Sequence, residues 1–357
     1  MCNVLTYEQI DRTEWSRLVA SSSTGTWFQT PEAYDFFAAQ PELFEPYVVG
    51  ITCDLAGAQT QLRGVCVGYV TKERSRLKQF FTRRAIILGG PCLADDATME
   101  EVEELMRAVT GYGLRVTGKP IYIETRNFND YSRWRGAFEA AGFSYQPHLN
   151  FHVDTSSVDI VEANLGKSRK RDIKTTVRDG VTLVYHPTHE QEHQFYSVLK
   201  RLYDTKVKTP LFPESFFQTL AKHPDGRVLL TEYNGKIIGG TVCVVFCRDK
   251  FEIVNHKSES PTPGVVYEWF VCGEDGVYPH IFPSCYATYA GIRYAAEHGY
   301  ARFDMMGAGR PGEAYGVRDF KARFGGKEVE HGRFLCVTKP LLYKIGTMGV
   351  KLLKRLK

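Results

Sequence analysis

The sequence predicts an α/β fold, closer to α+β in its layering, built from one unit used twice in tandem. Three observations carry this. The order helix, hairpin, strand, helix, strand occurs once in each half. The 357 residues exceed the roughly 250–300 at which a single core stops growing. Asn234-Gly235, between two apolar runs, is a strong short-range hairpin signal. Together they predict a duplicated unit of roughly 150 residues, with domains at 1–152 and 153–339 joined near Asn150–Asp154.

In the first half the pattern predicts helices over Thr13–Ala20 and Gln29–Phe37, followed by paired strands Tyr47–Thr52 and Arg63–Thr71 across Asp54–Gln61. Strand Ala85–Leu88 ends at Gly89-Gly90-Pro91, and Asp95, Asp96 and Thr98 are capping candidates for helix Met99–Val109. Strand Ile121–Thr125, helix Tyr131–Ala141 and an extended segment Phe143–Val153 complete it. The second half opens with helices Val158–Arg178, Thr188–Tyr203 and Pro213–Lys222. Strands Arg227–Tyr233, Lys236–Phe246 and Lys250–Asn255, helix Cys285–His298, and strands Arg302–Asp304 and Glu328–Val337 follow.

Composition excludes several classes. No apolar run approaches the ~18–20 residues of a membrane span, and Met1-Cys2-Asn3-Val4 lacks the basic flank and apolar core of a secretory signal. A cytoplasmic protein is expected. Nine cysteines, an odd number without a Cys-x-x-Cys pair, argue against a disulfide framework or a structural zinc site. Cys243 and Cys247 read as buried strand residues, and His189 and His193 lack further ligands in a metal pattern, so no metal and no resident cofactor are expected. No Gly-x-Ser-x-Gly elbow is present. A net charge of +4 does not by itself call for nucleic acid, and DNA is not an expected partner.

Three segments are more informative. In Gly166–Arg178, helical spacing places Lys167, Arg171, Lys174 and Arg178 on one stripe flanked by Lys170, with Ile173 and Val177 facing inward. Aligned cations repel unless an anion binds them, so a phosphate-bearing ligand fits, against a plain solvated face as the alternative. In Phe303–Gly326, a strand ends at Asp304 and becomes a loop in which Gly307, Gly309, Gly312 and Gly316 permit close approach to a ligand. That loop lacks the Gly-Lys-Ser/Thr ending of a phosphate-binding loop and leads to Phe320, Lys321 and Phe324. In Lys339–Lys357, Leu341, Leu342, Ile345, Met348, Leu352, Leu353 and Leu356 form an apolar side among exclusively positive charges. Such a helix suits either an anionic membrane surface or packing on the protein body.

Thr26-Trp-Phe-Gln-Thr-Pro31, the cationic helix opening the second half, and Gly316-Val-Arg-Asp-Phe-Lys-Ala-Arg-Phe-Gly325 resemble the FemABX group, aminoacyltransferases that build peptidoglycan cross-bridges. The resemblance implies two GNAT-like domains with mixed sheets, and a C-terminal helix (340–357) returning to the first. It implies transfer from aminoacyl-tRNA to an amine on a lipid- or nucleotide-linked cell-wall precursor. The basic C-terminal helix, read by itself, suggests peripheral contact at the inner face of the cell membrane. The family's Phe-Lys pair falls on Phe320 and Lys321, and its cationic helix on Lys170, Arg171 and Lys174. Where the family places an Arg and a Tyr against substrate, this chain has Lys206 and Phe216. The long inserted helical hairpin of some members and the acyl-CoA motif of GNAT enzymes are both absent.

The residues expected to carry chemistry are therefore Lys321, Asp304 and Tyr315. Those expected to bind substrate are Lys167, Lys170, Arg171, Lys174, Lys206, Phe216, Phe320, Gly307 and Gly309. Two other readings compete: acyl-CoA-dependent N-acylation of a sugar nucleotide in surface-polysaccharide synthesis, and a non-catalytic RNA- or anion-binding protein using the cationic helix.

Overall fold

A computed structural model describes residues 2–53, 61–73, 75–116, 120–247 and 264–355. The expected strand Lys250–Asn255, most of the connection Asp54–Gln61, and the side chains of Leu352, Leu353 and Leu356 lie outside the described residues.

The chain divides into two compact units, each around its own sheet. The first comprises 1–148 together with 330–357. Its strands are β1 (Cys2–Thr6), β2 (Phe44–Cys53), β3 (Gln61–Thr71), β4 (Ala85–Gly89), β5 (Cys92–Leu93), β6 (Tyr122–Asn127), β7 (Ser144–Gln146) and, from far along the chain, β15 (Arg333–Val337). The order is β1-β2-β3-β4-β6-β15-β7, with β5 beside β3 and only β4–β6 parallel among the registered pairs. Helices α1 (Arg12–Ser21), α2 (Pro31–Ala38), α3 (Arg76–Thr82), α4 (Met99–Val116), α5 (Arg135–Ala140) and α12 (Pro340–Arg355) accompany it.

Local chemistry accounts for much of this. Asp11 and Thr30 accept hydrogen bonds from the backbone N–H groups of Glu14 and Ala33, capping α1 and α2. Between those helices the Trp27-Phe-Gln segment is buried, and Gln29 plugs the sheet: its amide donates to the carbonyls of Val67 and Leu88 and accepts from the Val67 N–H. In this unit Arg63 and Glu101 form an enclosed guanidinium–carboxylate pair at 3.0 Å.

The second unit, the described residues of 149–329, holds β8 (Leu149–Asp154), β9 (Thr182–Val184), β10 (Gly226–Tyr233), β11 (Lys236–Phe246), β12 (Val265–Gly273), β13 (Arg302–Asp304) and β14 (Lys327–Glu330), ordered β14-β8-β13-β12-β11-β10-β9. The Asn234-Gly235 hairpin forms as expected, both residues taking positive φ (50° and 73°). Helices α6 (Val158–Asn164), α7 (Lys167–Arg178), α8 (His189–Leu202), α9 (Glu214–Lys222), α10 (Pro283–Glu297) and α11 (Gly316–Ala322) surround the sheet. Strand β12, absent from the sequence reading, is central: it pairs with β11 on one side and runs parallel to β13 on the other.

Several expectations are corrected. Helix 158–178 is two helices, because the backbone is extended at Leu165 and Gly166 (ψ 131° and 144°) and the Gly166 N–H donates to Arg323 O at 3.0 Å instead of continuing the ladder. Val177, expected to face inward, is 47% exposed, and the inward stripe of α7 is Arg169, Asp172, Ile173 and Thr176. The extended segments 143–153 and 328–337 each break into two strands that join different sheets, so β15, placed at 153–339 by the sequence reading, belongs to the first unit. Cys2 and Cys53, directly opposed in the β1–β2 register, form a disulfide, where the odd and scattered cysteines argue against a disulfide framework. Among the described residues, no helix is long and apolar enough to cross a membrane, and no cluster of three His, Cys, Asp or Glu could hold a metal ion. His193 instead meets Glu214 at 2.8 Å.

Candidate functional site

The second unit gathers polar groups where β13 ends. Asp304, the last residue of that strand, is fully buried. Its Oδ1 accepts from Asn150 Nδ2 (2.7 Å) and from the Met306 N–H (2.9 Å), while His152 Nε2 approaches Oδ2 to 3.1 Å. Asn150 and His152 reach it because β8 runs antiparallel beside β13, with Asp304 opposite His152. Asn150 Oδ1 in turn accepts from the Gly307 N–H at 2.9 Å. Burial alone would raise the Asp304 carboxyl. The hydrogen bond and charge of His152, the charge of Arg302, and the Asn150 amide outweigh it, so the net shift is below the ordinary range and the group is a carboxylate.

The Gly-rich loop is stitched down rather than loose. Met305 N donates to Phe151 O, Ala308 N to Leu149 O, and Leu149 N to Gly309 O, which extends the β8 pairing beyond β13. From the other side the Arg318 guanidinium donates to the carbonyls of Ala308, Arg310 and Glu313. Met306 (φ 50°) and Gly307 (φ 91°) are left-handed, and a non-glycine residue there marks local strain held in place by its neighbours. Gly309 combines a φ of 80° with the Tyr315 ring stacked so close that a Cβ would meet it at 2.8 Å.

Lys321, on α11, is 7% exposed. Its ammonium donates to the carbonyls of Met305 and of Gly307, the latter at 2.8 Å, so two of its three N–H donors grip the start of the loop. Burial pulls it below the usual lysine range, against the attraction of Glu268 and Asp304. Glu268 lies on β12, where a bulge between Val242 and Cys243 of β11 disturbs the register. Burial pushes its carboxyl up to about 7, opposed by the Lys321 charge and by Thr288 and Thr241. One buried ammonium is thus attracted by two buried carboxyl groups, Asp304 held below its ordinary range and Glu268 pushed up to about 7.

The cationic helix α7 is fixed to this segment. Arg169 lies 4.4 Å above the Phe320 ring and 5.0 Å from that of Phe324, donates to Phe320 O, and meets the buried Asp172 at 3.3 Å. On its outer side Lys167, Lys170, Arg171, Lys174 and Arg178 are exposed as expected, although Arg171 also pairs with Asp172 at 3.1 Å.

Thus Asp304, Gly307, Gly309, Tyr315, Phe320 and Lys321 come together around one loop, with α7 adjoining through Arg169. Tyr315 is 45% exposed at the start of α11. Phe216, expected to meet substrate, is instead completely buried, stacked on Phe212 at 4.4 Å and edge-on to Phe217 and Trp269, because α9 turns its apolar face onto β12. Lys206 is exposed on the π-helical turn Tyr203–Val207 that follows α8. Sequence reasoning missed Asn150, His152, Arg169 and Glu268; only Glu268 left a signal, as a lone carboxylate in the apolar run Val265–Cys272.

Each unit is thus a mixed sheet flanked by helices, and the chain carries two of them in tandem. Among solved structures, FemX is similar over 96% of this chain and 99% of its own, with TM-score 0.66 and 13% identity. A tandem GNAT protein from the clavulanic acid biosynthesis pathway is similar over 94% and 98%, with TM-score 0.52 and 8% identity. No protein-family model matches the sequence, and no curated protein matches it. The expected fold, a FemABX-like pair of GNAT-like units with mixed sheets and flanking helices, is the fold found.

Proposed function

We propose that the chain is an acyl-group transferase, which moves an aminoacyl group from aminoacyl-tRNA onto an amine of a cell-envelope precursor such as a peptidoglycan intermediate. The observation that carries this reading is the Lys321 ammonium, buried, bound to the carbonyls of Met305 and Gly307, with one donor left over beside a strained loop. A cation in a water-poor setting stabilises a developing oxyanion far better than one in solvent.

In the proposed reaction the neutral amine attacks the ester carbonyl, forming the C–N bond. The tetrahedral oxyanion collapses, the C–O bond to the carrier breaks, and the proton released by the amine ends on the leaving hydroxyl. Lys321 stabilises the oxyanion or the leaving oxygen. Glu268, near neutrality, is suited to taking a proton at physiological pH. Asp304 is enclosed by Asn150, His152 and the Met306 N–H, which favours a positioning role for it, and Tyr315 is the exposed hydroxyl above the loop. The outer cations of α7, Lys167, Lys170, Arg171 and Lys174, receive the phosphates of the carrier.

Incubation with charged tRNA, acyl-CoA and candidate amine acceptors, read by mass spectrometry, tests donor and acceptor together. Lys321→Ala should lower turnover about a hundred- to a thousandfold, the loss of one oxyanion donor being roughly 2.7–4 kcal/mol, with the thermal midpoint monitored to separate chemistry from folding. Near-normal activity of that variant would end the assignment. Product formed only from acyl-CoA would move the reading to N-acylation of a polysaccharide precursor. Salt-sensitive RNA binding without any transfer would move it to a binding protein.

A further inference from the structure

We propose that the surface formed by α3 and α12 of the first unit docks on an anionic lipid membrane. The two helices are neighbours. Phe80 and Phe81 on α3 are 54% and 47% exposed, their rings edge-on at 5.1 Å. Leu341, Ile345 and Met348 on α12 are 78%, 57% and 69% exposed, and their spacing of four and three residues makes a single stripe. Two bare phenylalanines beside a bare aliphatic stripe are not what a solvated helix pair requires.

The charge that the two segments carry in sequence identifies the occupant. Segment 72–84 holds Lys72, Arg74, Arg76, Lys78, Arg83 and Arg84 against Glu73, and 339–357 holds Lys339, Lys344, Lys351, Lys354, Arg355 and Lys357 with no acid. Arg83 is engaged with Glu45 at 2.6 Å, and Lys72 with the Pro41 carbonyl at 2.8 Å. Most of the remaining cations have only other cations nearby in sequence. A second copy meeting this face by two-fold symmetry would set cation against cation, which disfavours self-association. An anionic membrane interface offers both an apolar layer for the rings and a negative headgroup layer for the lysines and arginines. The resulting arrangement lays both helices flat in the interface without crossing it.

This proposal stands apart from the transfer reading, since membrane binding is measured without donor or acceptor. The full chain is floated with vesicles of phosphatidylcholine alone, and with vesicles containing phosphatidylglycerol as well. The parent is expected on the anionic vesicles and not on the neutral ones, and to be released at ~1 M salt, where screening acts within a few ångströms. Phe80→Ser/Phe81→Ser and Ile345→Ser/Met348→Ser, all at exposed positions, should each weaken vesicle binding roughly tenfold or more with an unchanged thermal midpoint. The control Val277→Ser, exposed in the second unit, should bind like the parent. Equal binding to neutral vesicles, no binding to either, or unaltered binding by both double variants would overturn the proposal. So would self-association abolished by the same substitutions, which would assign the face to a second copy.

Discussion

Glu268 is an acid whose folded pKa, about 7, lies above its ordinary value of 4.5. Between those values the folded chain binds a proton that the unfolded chain has released. The contribution is therefore fully present below the unfolded pKa and lost as pH rises through the folded one, up to about 3 kcal/mol for this group taken alone. Lys321, lowered by burial, carries the opposite sign: its burial cost is relieved as pH rises through its folded pKa toward the ordinary lysine pKa. Glu268→Gln should consequently be more stable than the parent at about pH 8, with the two converging near pH 5, in urea titrations at both values. An identical pH slope in both proteins would mean that Glu268 is ionised throughout. This buried carboxylate was scarcely legible in the sequence. Lys321 and Asp304 could be read because a Gly-rich loop and an aromatic–lysine pair are local patterns. Asn150 and His152 could not, since only the antiparallel pairing of β8 and β13 brings them to Asp304 across more than one hundred and fifty intervening residues.

Helix α7 separates two kinds of cation that look alike in sequence. Arg169 is buried, shares Asp172, and covers the rings of Phe320 and Phe324; Lys170 and Lys174 face solvent. Arg169→Ala would remove the buried partner of Asp172 and leave it only the exposed Arg171, so the loss should approach but not exceed the about 3–5 kcal/mol of a fully broken buried pair. The variant should show that loss in urea unfolding, together with faster hydrogen exchange over 316–324. Arg169→Lys should restore only part of it, because an ammonium neither forks nor stacks as a guanidinium does. Lys170→Glu/Lys174→Glu should stay within about 0.5 kcal/mol of the parent in stability, yet weaken and flatten the salt dependence of tRNA binding. A cationic stripe was legible from 3.6-residue spacing, but its polar inward face was not. Periodicity assigns charged residues to the outside, and only the α7–α11 packing shows that one arginine and one aspartate turn inward as a pair.

The recurrence of elements along the chain was legible, but its partition into two bodies was not, for a reason visible at two junctions. Segments 143–153 and 328–337 each read as one extended run, and each changes sheet midway. The second break falls at Gly332, whose φ of 64° and close Tyr145 ring (2.3 Å from a Cβ) fit no other residue. Beyond it, β15 enters the first sheet between β6 and β7, stacking Phe334 on Phe138 at 4.0 Å and bonding Phe334 N to Thr125. The first unit therefore depends on residues synthesised almost two hundred positions after its main segment ends. A chain ended after Lys339 should keep a cooperative unfolding transition for that unit, because it retains β15 and loses only α12. A chain ended after Val329 should lose it, since β7 would be cut off from β6 and the buried ring of Phe334 would leave a void against Phe138, a deletion costing about 3–5 kcal/mol on its own. For the same reason residues 1–148 produced alone should fold only when a peptide spanning 330–339 is added. Thermal unfolding of these three polypeptides decides the matter: an independently folded 1–148 fragment would show that the returning strand is an addition to the first unit, and not one of its structural members.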